Sequence, residues 1–84
     1  MPKSFVLQSD HSHAANMKLE VKIGSRLRAL RRAASISPEV AAAAADLDVQ
    51  HYLECEAGKR RASAVELTKL CRLYGASMAE LFRR

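Results

Sequence analysis

Five consecutive alanines, Ala41 to Ala45, follow Ser37-Pro38 and stop at Asp46. No other stretch restricts the fold as much. Alanine is the strongest helix former, and its small side chain lets neighbouring backbones approach closely. Ser37 is a good N-cap, and Pro38 suits the first helical position, where a missing N–H leaves nothing unpaired. The stretch predicts a helix of roughly eight residues packed closely on its neighbours.

Helical signals flank it on both sides. Ile23, Leu27, Leu30 and Ala34 recur at spacings of four, three and four, one apolar face of a helix. Lys22, Arg26, Arg28 and Arg32 fall on its other faces and are expected to be solvated. Beyond the alanines, Leu47 is expected to plug the core, and Asp48 to cap a third short helix that ends near Glu56 and stops at Gly58. Lys59-Arg60-Arg61 then form a basic loop. Ser63-Ala-Val-Glu66 is a capping box opening a fourth helix, whose buried stripe is Leu67, Leu70, Cys71 and Tyr74, with Gly75 as its stop. Ser77-Met-Ala-Glu80 is a second such box, opening a last short helix with Leu81 and Phe82. The expected fold is all-α, a compact five-helix domain over residues 21–84. Residues 1–20 are expected to form a flexible arm, with Phe5-Val6-Leu7 docking on the domain or forming a short strand.

Composition narrows the function classes. Eighty-four residues leave room for one small domain, and 49% hydrophobic with 27% charged residues is a globular composition. No run approaches the roughly 18 apolar residues of a membrane span. The N-terminus lacks a long apolar stretch behind a basic segment, so a signal peptide is not expected and the expected location is cytoplasmic, with the nucleoid. Two cysteines are too few for a secreted disulfide scaffold. His11 and His13 match no zinc spacing, and there is neither a Ser–His–Asp set nor a Gly-rich phosphate loop. The chain is expected to be neither an enzyme nor dependent on a metal or cofactor.

The net charge is +5. Residues 1–16 hold only Lys3 and Asp10, so the whole excess belongs to residues 17–84. Nucleic acid is the first partner to expect for such a domain.

Two short helices joined by about three residues, followed by a basic loop and two more helices, make a helix-turn-helix arrangement. Residues 23–83 resemble the Cro/cI (lambda-repressor-like, XRE) DNA-binding family. The resemblance is carried by Ile23-Gly-Ser-Arg-Leu-Arg-Ala-Leu-Arg31, Ile36-Ser-Pro-Glu39, Leu47-Asp-Val-Gln50, Glu56-Ala-Gly-Lys-Arg60, Ser63 through Leu70, and Tyr74-Gly-Ala-Ser-Met-Ala-Glu-Leu-Phe82. These pieces stand in order over about three quarters of the chain.

The resemblance implies a recognition helix near residues 48–56, double-stranded DNA as partner and a homodimer. Arg31 and Glu56 match an ion pair between the first and third helices. Val49, Gln50, His51 and Glu54 match residues facing the major groove, where Gln50 suits adenine and Glu54 the amino group of cytosine. Ser37, Ala57, Lys59, Arg60 and Arg61 match residues along the phosphates, together with the backbone amides behind Ser37. Met78, Leu81 and Phe82 are the surfaces expected to pair in the dimer. Cys55 and Cys71 match small or aliphatic core positions, with a redox switch as the sharper alternative.

Five positions depart from the family pattern. Pro38 replaces a glutamine that contacts the DNA backbone, Leu53 and Glu54 stand where serine and a basic residue are usual, Asp46 replaces a turn glycine, and Ala41 replaces a leucine. Asp46 to Glu56 carries four acidic and no Lys or Arg residues, leaving Glu54 unpaired beside the expected groove. Two alternatives to a DNA-binding regulator follow. One is a protein-interaction module that modulates a DNA-associated enzyme or regulator, redox-sensitive through its cysteines. The other is the antitoxin of a toxin–antitoxin pair.

Overall fold

A computed structural model describes residues 19–83. Within them the chain forms α1 (19–33), α2 (Pro38–Ala44), α3 (Val49–Glu56), α4 (Ala64–Tyr74) and α5 (Met78–Phe82), with no strand among the described residues. The helix α1 already covers residues 19 and 20, which the sequence reading assigned to the arm. Leu19 lies one turn before Ile23 and extends its face. The rest of the expected arm, with Phe5 to Leu7, His11 and His13, lies outside the described residues.

Side-chain caps start the helices where the sequence places them. Ser37 Oγ accepts from the Val40 N–H at 3.2 Å, and Asp48 Oδ1 from the His51 N–H at 2.8 Å. Asp48 therefore stands outside α3 as its cap. Ser63 and Glu66 satisfy each other's backbone N–H groups at 3.1 and 2.9 Å, and the Ser77 N–H donates to Glu80 at 3.1 Å.

The first four helices share one kind of ending. A left-handed residue follows each, at Ser35, Asp46, Gly58 and Gly75. The next N–H then reaches back to a carbonyl of the last turn: Ile36 to Arg31, Leu47 to Ala42, Lys59 to Glu54 and Ala76 to Cys71. This is the Schellman motif, and glycine usually supplies its left-handed residue. Here only two of the four are glycine. Asp46 bears the conformation with φ 59°, and its carboxylate meets Lys69 Nζ at 2.6 Å.

The core gathers Leu27, Ala41, Ala42, Ala45, Tyr52, Leu67, Leu70 and Leu81. The alanine helix α2 packs on α3 and α4, and α4 packs on α5. Close approach recurs where α1 crosses the end of α3. A Cβ on Gly24 would run into the Cys55 carbonyl and come within 2.5 Å of the Glu56 carbonyl oxygen.

Helix α5 differs from the dimer expectation. Leu81 is fully buried in the monomer core, so it has no surface left to offer a second copy. Met78 is half-buried with its sulfur 3.8 Å from Cys71 Sγ, whereas Phe82 stays 47% exposed. Arg26, expected on a solvated face, instead donates from Nη1 to the Leu81 carbonyl at 2.9 Å. It thereby satisfies an acceptor that the end of a five-residue helix leaves open.

Candidate nucleic-acid interface

The helix α3 has two faces of different chemistry. Tyr52, Cys55 and Glu56 turn inward and are buried, while Val49, Gln50 and Leu53 turn outward. Spacing of three and four residues puts each set on one side of the cylinder.

Glu56 anchors the inner face. It is 3% exposed, yet it is a carboxylate, so its charge needs partners. Arg31 supplies two contacts, Nε at 2.6 Å and Nη2 at 3.3 Å, and Arg28 Nε adds a third at 3.4 Å. Arg31 also donates from Nη1 to the Ile36 carbonyl at 3.0 Å, tying the α1–α2 turn to the same cluster. Burial pushes the Glu56 carboxyl up, but hydrogen bonds from Arg31, Tyr52 and Arg28 outweigh it and hold the group below its ordinary range. Tyr52 is fully buried beside this pair, with its hydroxyl 2.6 Å from that of Tyr74. Burial first, then the neighbouring Glu56 and Tyr74, raise the Tyr52 phenol far above its usual value. The inner face is thus a fixed polar cluster that sets how α3 sits on the domain.

The outer face corrects the expectation for Glu54, which is paired. Arg60 Nε lies 2.7 Å from its Oε1, and Gln50 Nε2 donates to its Oε2 at 3.3 Å. Arg60 and Gln50 hold the Glu54 carboxyl below its ordinary range. Gln50, Glu54 and Arg60 therefore form one chain of contacts from the first turn of α3 to the loop beyond it. Among the remaining expected base readers, Val49 is exposed at the start of α3, and half-buried His51 faces a groove shared with Arg60 and Arg61. Leu53, 39% exposed, lies on the same outward side.

The expected phosphate contacts Ser37, Ala57, Lys59, Arg60 and Arg61 are all exposed around α3. Ser37 spends its hydroxyl as acceptor on the α2 cap, which leaves its O–H available as a donor.

Cys55 and Cys71 are both buried free thiols. Burial pushes Cys55 up to about 11 and raises Cys71 as well, the reverse of an activated thiolate. Their surroundings are those of packing residues. Among the described residues no group of three or more His, Cys, Asp or Glu side chains is placed to hold a metal ion. Also among the described residues, no helix is long and apolar enough to cross a membrane.

Sequence reasoning missed the roles of Gly24, Arg26 and the Tyr52–Tyr74 pair. The Glu54–Arg60 pairing had a signal, opposite charges six residues apart across a glycine turn, but the spacing fits no regular helix pair.

Known proteins place this arrangement. A family model described as a helix-turn-helix domain matches residues 22–83. The control protein C.MunI from Mycoplasma sp is 37% identical over 65 residues, spanning 76% of this chain and 88% of that protein. The solved structure of the restriction-modification controller protein C.AhdI from Aeromonas hydrophila matches with a TM-score of 0.69 and 39% identity, covering 74% of this chain and 94% of that one. Together with the two-faced α3 behind a four-residue connection from α2, these matches make the chain a member of the helix-turn-helix family, of the Cro/cI-like kind, and a DNA-binding transcription regulator.

Proposed function

We propose that this regulator is a controller of restriction–modification genes and binds its operator as a homodimer, with α3 in the major groove. The observation that carries the reading is the outward face of α3. Val49 and Gln50 stand exposed at its N-terminal end, with the basic residues of 59–61 exposed at the other. A recognition helix needs this layout, with polar side chains reaching base edges and cations flanking them along the phosphates. The identity to two controller proteins over most of their length supports the assignment of role. Within the interface, Gln50 reads adenine, Val49 and His51 line the groove, and Ser37, Lys59, Arg60 and Arg61 hold phosphates. Such a protein works in the cytoplasm, where the DNA is.

The dimer reading is revised to exclude Leu81. Phe82 and Met78, with Leu19, Ile23 and Leu67, form the apolar part of the groove of about 600 Å³ that also holds His51, Arg60 and Arg61, and that apolar part is the surface offered to a second copy.

The test is retention of genomic DNA fragments from the source organism across a salt series, with sequencing of what is kept. The expected result is a few sites upstream of restriction–modification genes, each with two related half-sites about 34 Å apart or a multiple of that. Retention with no shared sequence at physiological salt would overturn it.

A further inference from the structure

Glu54 and Gln50 stand one turn apart on the outward face of α3, and the geometry fixes which way the Gln50 amide faces. A carboxylate only accepts hydrogen bonds, and Arg60 Nε at 2.7 Å favours its charged form. The group of Gln50 that meets Oε2 at 3.3 Å must therefore be Nε2, because Oε1 there would set two acceptors against each other. One N–H of the amide is spent on Glu54. The second N–H and the carbonyl oxygen remain, side by side, as a donor next to an acceptor. Adenine presents the matching pair in the major groove, N7 as acceptor beside the N6 amino donor.

The other end of the chain of contacts is equally directed. Arg60 meets Glu54 through Nε and not through its two Nη nitrogens. Those carry the donors that a phosphate takes in a paired contact.

We propose that Glu54 is a positioning residue: it orients the Gln50 amide for adenine and couples that contact, through Arg60, to a DNA phosphate. The assignment deepens the proposed interface and rests on Gln50 as a base reader. It replaces a direct role for Glu54 at cytosine. Because a lone glutamine amide turns freely about its last bond, removing Glu54 costs orientation at one base and leaves the other base contacts in place. Removing its negative charge also favours binding to any DNA.

The experiment is selection from a randomised duplex pool with sequencing, for the native chain, Gln50→Ala, Glu54→Ala and the double variant. Gln50→Ala should abolish an adenine preference at one position in each half-site. Glu54→Ala should lower the preference at that same position about tenfold while binding to random DNA rises. The double variant should match Gln50→Ala at that position, since coupled contacts are not additive. An unchanged preference in Glu54→Ala would overturn the proposal. So would a change at a different base, which would make Glu54 a direct reader, or a uniform change at all positions. If Gln50→Ala alters no position, base reading by Gln50 fails, and the positioning role fails with it.

Discussion

Arg31 Nε lies 2.6 Å from Glu56 Oε2, joining the end of α1 to the last turn of α3. The Glu56 side chain is almost wholly shielded from water, and that of Arg31 largely so. Loss of one partner strands a buried charge. Arg31→Ala should destabilise the domain by about 3–5 kcal/mol. Arg28→Ala, which removes the exposed and longer contact at 3.4 Å, should cost less than about 1 kcal/mol. Urea titration of both variants checks the contrast, and equal losses would refute Arg31 as the main partner.

The same pair gives the domain a pH dependence. Glu56 is held below its ordinary value of 4.5 in the folded state. Its contribution is therefore complete above pH 4.5 and is lost as pH falls from there through the lower folded value. The urea midpoint should hold between pH 7 and 5 and drop below pH 4.5. In Glu56→Gln, less stable at neutral pH, most of that drop should disappear. Asp46 and Glu54 are also held low, but Asp46 stands in solvent and Glu54 is partly exposed at the surface, so their variants should change the profile far less than Glu56→Gln.

Gly24→Ala separates helix propensity from packing. On propensity alone the change favours α1 by roughly 1 kcal/mol. The new Cβ would meet backbone carbonyls of Cys55 and Glu56, which cannot turn aside as a side chain would. The expected outcome is a net loss of about 1–3 kcal/mol and a lower Tm. A gain in Tm would show that α1 and α3 are not in backbone contact.

Cys55 and Cys71 should resist alkylation in the native protein at pH 8 and react fully in denaturant. Both thiols are buried and shifted away from thiolate. Mass spectrometry after brief iodoacetamide treatment reads this directly. Rapid labelling of the folded chain, or a disulfide formed in air, would restore the redox reading.

At the interface, Lys59→Ala and Arg61→Ala should each weaken binding to all sequences alike and flatten the salt dependence by about one unit. Fluorescence anisotropy across a salt series measures this. A change confined to one operator sequence would place the residue at a base instead.

Sequence alone determined the helices, the starts of α2 to α5 and most of the ends, because those signals act between residues at most a few positions apart. Ser63 and Glu66 carry their box wherever the chain goes, and the alanines behind Ser37-Pro38 favour helix locally. The break after Ala34 is legible at Ser35-Ile36-Ser37-Pro38, but the left-handed backbone at Ser35 is not, since serine gives no hint of it until tertiary packing turns the chain from α1 into α2. The Arg31–Glu56 pair was legible only through family resemblance, as 25 residues separate its members.

Tertiary structure decided the rest. It buried Leu81, sent Arg26 across 55 residues to the Leu81 carbonyl, and set Gly24 against the end of α3. It also paired Glu54 with Arg60, turning an apparent excess of negative charge into a brace for Gln50. Each of these depends on where one helix crosses or ends against another. Local propensity does not encode that angle, which follows from the joint packing of side chains distant in sequence.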